Sequence, residues 1–561
     1  MSKISDANRV SYKKSKVDAV RHTSEVETNF MSGESYKMID PLTTLKLVTA
    51  SSIYGEPQYY VDGMKSKKTM PARFTVDHLV GDNSILSSDI YSGKDTVSIM
   101  EDIIDKALDY DFAKTLEWAV TLRTDFYMRL NPQIIMTRAA IHPKRKEFTE
   151  QYPGGFDCVN QQVMLRADDP MSQLSYYVYK MGNKNNMPSL LKRSIAKKIS
   201  SLGRYQVAKY KNKDMGLVNA AKIVHANSKV LDELIQTGTV DVKDTEQTWE
   251  NLRSAGTDWK TIFETINMPH MALLRNLRGV FTEIEDIEFC KIYLAKLKSG
   301  VAKGKQFPFR YYTAMKAVSK DANVHHKSLI IDTLDECIDL AMENMPHIKG
   351  KTIALSDNSG SAWGTFNSEY GSVTVADIDN LSAACIAKCS DEGYVGYFGD
   401  KLIIEPITKH SGVLTQIKSH NISCQRVGGA TENGIWIFFR DAIDKKIWYD
   451  NIVIFSDQQA GHGGLYGTSE GIAEYRKRGF DHGMHVNVMD LILEYRRQVN
   501  PKVNIMSVQT AGYTNAVIPE NIYRGIISYG WTGKEAVALK SVTDIWDEYE
   551  NNKNDNNNSN V

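Results

Sequence analysis

Near residue 347 the chain changes its hydrophobic rhythm, and that change constrains its fold more than any other feature. From about Asp40 to Asn344, apolar residues recur at three- and four-residue intervals, the period of a helix with one buried face. Ser98–Leu108, Ala113–Leu122, Leu190–Leu202, Lys229–Thr237, Trp259–Ile266 and Leu329–Met342 are read as helices on that ground. Short breakers separate them: Asn131-Pro132, His142-Pro143, Pro153-Gly154-Gly155 and the stretch 183–188. Many helices with few strand runs predict stacked helical pairs in a solenoid-like arrangement.

After Pro346, short apolar runs alternate with helical stretches. Residues 351–355, Gly393–Phe398, 451–455 and Val503–Val508 read as buried strands, and Ile378–Lys388 as a helix. Such alternation over about 200 residues describes an open, mostly parallel, doubly wound α/β sheet. The expected organisation is a flexible N-terminal arm over 1–30, a helical-repeat domain over 31–347, an α/β domain over 348–548 and a disordered Asn/Asp-rich tail over 549–561. The fold class is thus multidomain, α followed by α/β.

At 561 residues the chain is too long for a single core. No apolar run approaches the roughly 18 residues of a membrane span, and Met1–His22 carries no apolar stretch of signal-peptide type. The six cysteines show no CxxC spacing, which argues against a disulfide framework and for a reducing cytoplasm. Cys385 and Cys389 share a helix face and read as small buried hydrophobes. Lys+Arg and Asp+Glu number 68 each, so any case for a nucleic-acid partner rests on local distribution.

The strand 351–355 runs into Asp357-Asn-Ser359-Gly-Ser361. In a doubly wound sheet, ligands collect at the carboxyl ends of strands. One carboxylate and two hydroxyls offer hard oxygen donors with room for water, which suits a divalent cation and magnesium best. Gly428-Gly429-Ala-Thr431 adds a hydroxyl before a helical stretch, and Asp457 follows the strand 451–455. Asp357, Ser359, Ser361, Thr431 and Asp457, in this order and each at a loop, resemble the metal-ion-dependent adhesion site of von Willebrand A domains. The plainer alternative is that the serines cap the next helix and Asp457 a turn. No His or Glu in the motif is placed to activate a metal-bound water, so binding without catalysis is the expected role. His482, His485 and Asp490, or His325 and His326, would be the ligands of a rival metal hydrolase, but their spacing gives no shared face.

Residues 189–213 contain eight basic side chains and no acidic one. Arg193 and Lys197 stand four apart, as do Lys209 and Lys213, so each pair is expected to share a helix face. Leu190, Leu191, Ile195, Ile199 and Leu202 supply the buried side. An aligned cationic face is what phosphate neutralisation requires; a solvated helix surface is the bland alternative.

Asn267-Met-Pro-His-Met-Ala-Leu-Leu-Arg275-Asn-Leu277 resembles the signature of the TROVE module of Ro proteins. Tyr205–Lys211 and Gln306–Ala314 are similar to other parts of it, and its order before an A-type domain with Asp357-x-Ser359-x-Ser361 matches the Ro family. The resemblance spans about residues 40–540. It implies a monomeric ring of HEAT-like helical repeats closed by a von Willebrand A domain. It also implies Y-like noncoding RNA on an outer basic surface, unpaired 3′ ends of misfolded RNA in a central hole, and a 3′ exonuclease as a possible partner. The family's RNA-contacting pattern falls on Lys209, Lys211, Lys213 and His225; Arg193, Lys197 and Arg275 are further candidates. Lysines replace arginines of that pattern, which loses the bidentate fork, and Asp214–Val218 replaces a Gly-Trp-Ser-His stretch. The competing reading is an A-domain adaptor that holds an acidic protein partner at its metal rim without RNA.

Overall fold

The computed structural model describes residues 24–28, 34–38, 41–51, 94–146, 155–212, 216–242, 247–364, 373–420, 424, 427–428, 431–456, 477, 488–510, 518, 523–529 and 533–558. A hairpin of β1 (Ser24–Thr28) and β2 (Glu34–Met38) comes first. The arm expected over 1–30 thus ends in a strand, and its first 23 residues lie outside the described ones.

By packing, the chain forms two units. One holds residues 40–76 and 93–272; the other holds 1–39, 77–92 and 273–561. The first contains α1 (Pro41–Ser51), α2 (Thr96–Tyr110), α3 (Phe112–Thr124), α4 (Asn131–Ile141), α5 (Gly155–Val163), α6 (Asp169–Met181), α7 (Ser189–Ser200), α8 (Arg204–Tyr210), α9 (Leu217–Val224), α10 (Lys229–Thr237), α11 (Trp249–Ser254) and α12 (Trp259–Thr265). Local chemistry sets their ends. Asp111 ends α2 and its carboxylate then accepts from Lys114 N to start α3, the usual task of Asp at a helix N-cap. Ser228 and Asp258 cap α10 and α12 in the same way.

A buried amide ladder ties four of these helices together. Gln173 Nε2 of α6 donates to Gln133 Oε1 of α4 at 2.8 Å and to Asn160 Oδ1 of α5 at 2.7 Å. Asn160 Nδ2 then donates to Ser194 Oγ of α7 at 3.0 Å. The four side chains are buried, so each amide group must find a protein partner, and the ladder supplies them.

The second unit begins within α13 (His270–Glu283) and continues through α14 (Ile287–Ser299), α15 (Val301–Gly304), α16 (Pro308–Lys320) and α17 (Lys327–Ala341). The sheet follows: β3 (Ile348–Asp357), α18 (Gly360–Gly364), α19 (Val375–Cys389), β4 (Ser390–Phe398), β5 (Leu402–Ile407), α20 (Val413–Ser419), α21 (Thr431–Asp444), β6 (Asn451–Ser456), α22 (Val488–Gln498), β7 (Asn504–Gln509), β8 (Gly525–Tyr529) and α23 (Glu535–Asn558). The boundary expected at 347 marks where strands begin, but the packing divides earlier. Tyr312 Oη and Lys316 Nζ of α16 both donate to Asp377 of α19, at 2.7 and 2.8 Å, and Asp339 of α17 accepts from Val413 N at 2.8 Å. These helices are therefore built into the α/β half.

Strand order is β5-β4-β3-β6-β7-β8, parallel except for the edge strand β5. β3 lies between β4 and β6, so the winding reverses at its carboxyl end. Ile353, Leu355, Ile452, Ile454, Phe439 and Tyr495 pack in the core on one face. Of the tail expected over 549–561, the part to Asn558 belongs to α23, within which Glu550 joins a buried cluster with Arg524, Lys502 and Tyr523; 559–561 lie outside the described residues.

Candidate nucleic-acid interface and metal centre

The basic stretch folds as two helices. Gly203, in an extended conformation, separates α7 from α8, and Lys211 caps α8 immediately after Tyr210. Leu191, Ile195, Ile199 and Val207 turn inward, which leaves Arg193, Lys197 and Lys209 exposed and Lys211 half-buried. Lys213 lies outside the described residues, so the expected Lys209/Lys213 helical pair is not described. Lys197 is partly neutralised by Asp157 of α5 at 2.7 Å. Arg204, the other arginine of the stretch, is held bidentate by Glu233.

Lys209 lies near two aromatic rings. Its Nζ lies 5.5 Å from the Tyr205 centroid and 6.0 Å from that of Tyr210, within the range of cation–π attraction. It also donates to Tyr205 Oη at 3.2 Å. Partial burial, the largest single influence, acts to lower its pKa, but the hydrogen bond to Tyr205 and the electrostatic attraction of Tyr205, Tyr210 and Glu250 together outweigh it and the net shift is upward. His225 takes the left-handed conformation, φ 61°, as the cap of α9, and its side chain is exposed. Arg275 is exposed on α13 and belongs to the other unit. In its motif Met268, Leu273, Leu274 and Leu277 are buried, and Tyr293 Oη donates to Leu273 O at 2.8 Å.

Sequence reasoning missed a set of residues beside α8. Arg166 Nη2 donates to Tyr210 Oη at 3.2 Å and Arg166 Nε to Asp168 at 2.9 Å. Arg129 Nη2 reaches the other oxygen of Asp168 at 2.6 Å. Residues 129, 166 and 210 lie too far apart in sequence for any periodicity to connect them.

The strand-end loop is organised as a rim. Asp357 is fully buried at the end of β3; it accepts from Ser359 N at 2.9 Å and from Ser456 Oγ, at the end of β6, at 2.6 Å. Ser359 Oγ and Ser361 Oγ are 3.2 Å apart. Asn358 and Asn380 of α19 exchange amide hydrogen bonds at 2.9 and 3.1 Å, and Ser356 Oγ donates to Asn380 at 2.7 Å. That pair, absent from the expected site, fixes the loop to the next helix. Thr431 opens α21, behind Gly428, whose φ is 83° and where a Cβ would stand 2.2 Å from Asp400; only glycine suits that approach. Asp457 lies outside the described residues, as do His482 and His485.

Of the expected donors, Asp357, Ser359 and Ser361 are described, and their oxygens are of the kind a hard cation takes. In an octahedral magnesium shell, adjacent oxygens lie about 2.9 Å apart, close to the observed hydroxyl spacing. Among the described residues, no three His, Cys, Asp or Glu side chains gather as a metal would require; this rim relies on hydroxyls and one carboxylate. His325 and His326 do not form a ligand pair: His326 Nε2 bonds to Glu285 O at 2.7 Å and His325 Nε2 lies 3.5 Å from the Glu285 carboxylate.

No family profile and no curated protein matches the sequence. The structure does find a relative. The Ro (RSR) protein of Deinococcus radiodurans superposes with a TM-score of 0.57 over 79% of this chain and 94% of its own, at 12% identity. The fold is Ro-like. A match over 79% of the chain takes in parts of both the helical half and the sheet half. Among the described residues no helix is long and apolar enough to cross a membrane.

Proposed function

We propose that the protein is a non-catalytic, Ro-type RNA-binding protein of the cytoplasm. Its basic surface at Arg193, Lys197, Lys209, Lys211, Lys213 and His225 takes Y-like noncoding RNA, and a ring of the Ro kind takes unpaired 3′ ends of misfolded RNA, for quality control or processing, with a 3′ exonuclease as partner. The observation that carries this reading is the acid-free segment 189–213 in a charge-balanced chain. Its described cations Arg193, Lys197 and Lys209 face outward, and Lys209 lies within cation–π range of two tyrosines. Cations that track phosphates, with rings on which bases stack, are the features of sequence-tolerant single-strand binding. The Ro-like fold and the TROVE-like motifs support the same conclusion.

The test is to purify the full chain gently at low ionic strength and to measure its absorbance ratio before and after nuclease. Copurifying RNA of defined size supports the reading. A nucleic-acid-free protein that also ignores a structured transcript with a loose 3′ end sinks it.

We further propose that Asp357, Ser359, Ser361, Thr431 and Asp457 hold a divalent cation, magnesium by preference. The adjacent serine hydroxyls and the buried Asp357 carboxylate at the same strand end support this. Bound there, the ion would keep a coordination position for an acidic group of a partner.

A further inference from the structure

Asp168 stands at the N-cap position of α6 but makes no side-chain cap hydrogen bond. An aspartate there ordinarily accepts from a backbone N–H of the first turn. Its two oxygens are instead given to two arginines, Arg129 at 2.6 Å and Arg166 at 2.9 Å. The carboxylate is buried, with 3% of its side chain exposed, while the two arginines keep 50% and 46% of theirs in solvent. One buried carboxylate thus presents two guanidinium groups side by side at the surface. Arg166 also donates to Tyr210, so the pair continues into the Tyr205–Lys209–Tyr210 group without a break.

We propose that Arg129 and Arg166, pinned by Asp168, form a phosphate-binding fork that extends this strip and grips the backbone of unpaired RNA. Arginine presents donors in a planar fork that matches phosphate bidentately, which the lysines of the basic helices cannot do. Tyrosine rings beside the fork select a strand whose bases are free to leave a stack, since paired bases do not reach them. The fork would restore the bidentate function that the lysine-for-arginine departures at 209–213 remove. This inference rests on the RNA-binding reading above.

The experiment uses the full-length protein and a labelled oligouridylate, with binding measured across a salt series. Arg166→Gln leaves Arg129 to neutralise Asp168, and the triple change R129Q/R166Q/D168N removes the stranded carboxylate along with both arginines. The triple variant is expected to bind about tenfold more weakly and to flatten the log–log salt slope by about 0.7 for each phosphate that is no longer neutralised. Arg166→Lys keeps the charge, so its slope should stay near wild type while its affinity falls between wild type and R166Q. Asp168→Asn tests the positioning role: both charges remain, so the slope holds and affinity drops. If wild type binds the probe and the triple variant matches it in affinity and slope, the fork is refuted while the RNA-binding reading stands. If wild type leaves the probe unbound at low salt, that reading fails and the fork with it.

Discussion

Arg524 and Glu550 meet inside the sheet unit, Nε to Oε1 at 3.1 Å, with only 4% and 7% of their side chains exposed. Lys502 Nζ and Tyr523 Oη donate to the same carboxylate, each at 2.6 Å, and Arg524 Nη2 reaches Asp547 at 2.5 Å. The C-terminal helix is thereby fastened to β7 and β8 by charge as well as by the burial of Ile545 and Trp546. Glu550→Ala leaves a buried guanidinium short of its partner, which costs about 3–5 kcal/mol. Chemical denaturation should show this as a lower midpoint, and ending the chain before residue 547 should be at least as damaging.

The same cluster sets an acid limit. Burial pushes the Glu550 carboxyl up, but Arg524, Lys502 and Tyr523 together hold it below its ordinary 4.5. A carboxylate depressed in the folded state stabilises the fold above its unfolded pKa, and that stabilisation is lost as pH falls through the folded value. Thermal melts of wild type should therefore decline in acid below about pH 4.5, and Glu550→Ala should show a smaller decline over the same window.

Asp377 joins α16 to α19. It accepts from Tyr312 and Lys316 and also completes the capping box of α19 with Thr374. Burial raises its carboxyl, and the bonds from Lys316 and Tyr312 bring it net below the usual value. Asp377→Ala should cost about 2–4 kcal/mol in a denaturant titration, from the lost cap and the stranded Tyr312 hydroxyl. A change under about 0.5 kcal/mol would show that the junction stands on apolar packing alone.

At the rim, Asp357→Ala should abolish retention of a divalent ion, measured as metal content after dialysis against magnesium. RNA affinity should stay within about twofold, because the cationic surface is carried by other helices. Equal metal content in variant and wild type would rule out the rim as a cation site.

Lys209→Glu combined with Lys213→Glu should weaken RNA binding by more than about tenfold at moderate salt, with the melting temperature almost unchanged. Filter binding against a structured transcript with an unpaired end checks the first expectation and calorimetry the second.

Much of this architecture could be read from residue patterns, and the exceptions have physical causes. β3, β4, β6 and β7 were legible because strands covered on both faces run as continuous apolar segments. β5 was not, since an edge strand alternating Ile404, Glu405 and Pro406 is half exposed and reads as a loop. The anchoring of Glu550 was not legible either, because its partners Arg524 and Lys502 lie far from it in sequence. In the site, the Asp-x-Ser-x-Ser loop announced itself by spacing, while its brace at Asn380 lies 22 residues away. Arg129 and Arg166 escaped for the same reason: their relationship exists only through Asp168.

The amide ladder through Gln133, Gln173, Asn160 and Ser194 bears on how this helical array can move. Each rung demands donors and acceptors at matched heights, so sliding one helix past its neighbour by even a fraction of a turn would strand amides in a dry interior. Continuous flexing is thereby replaced by an all-or-none choice between docked and parted helices. A long polymer drawn across such a surface would meet a stiff rail, and the work of fitting would fall on the polymer.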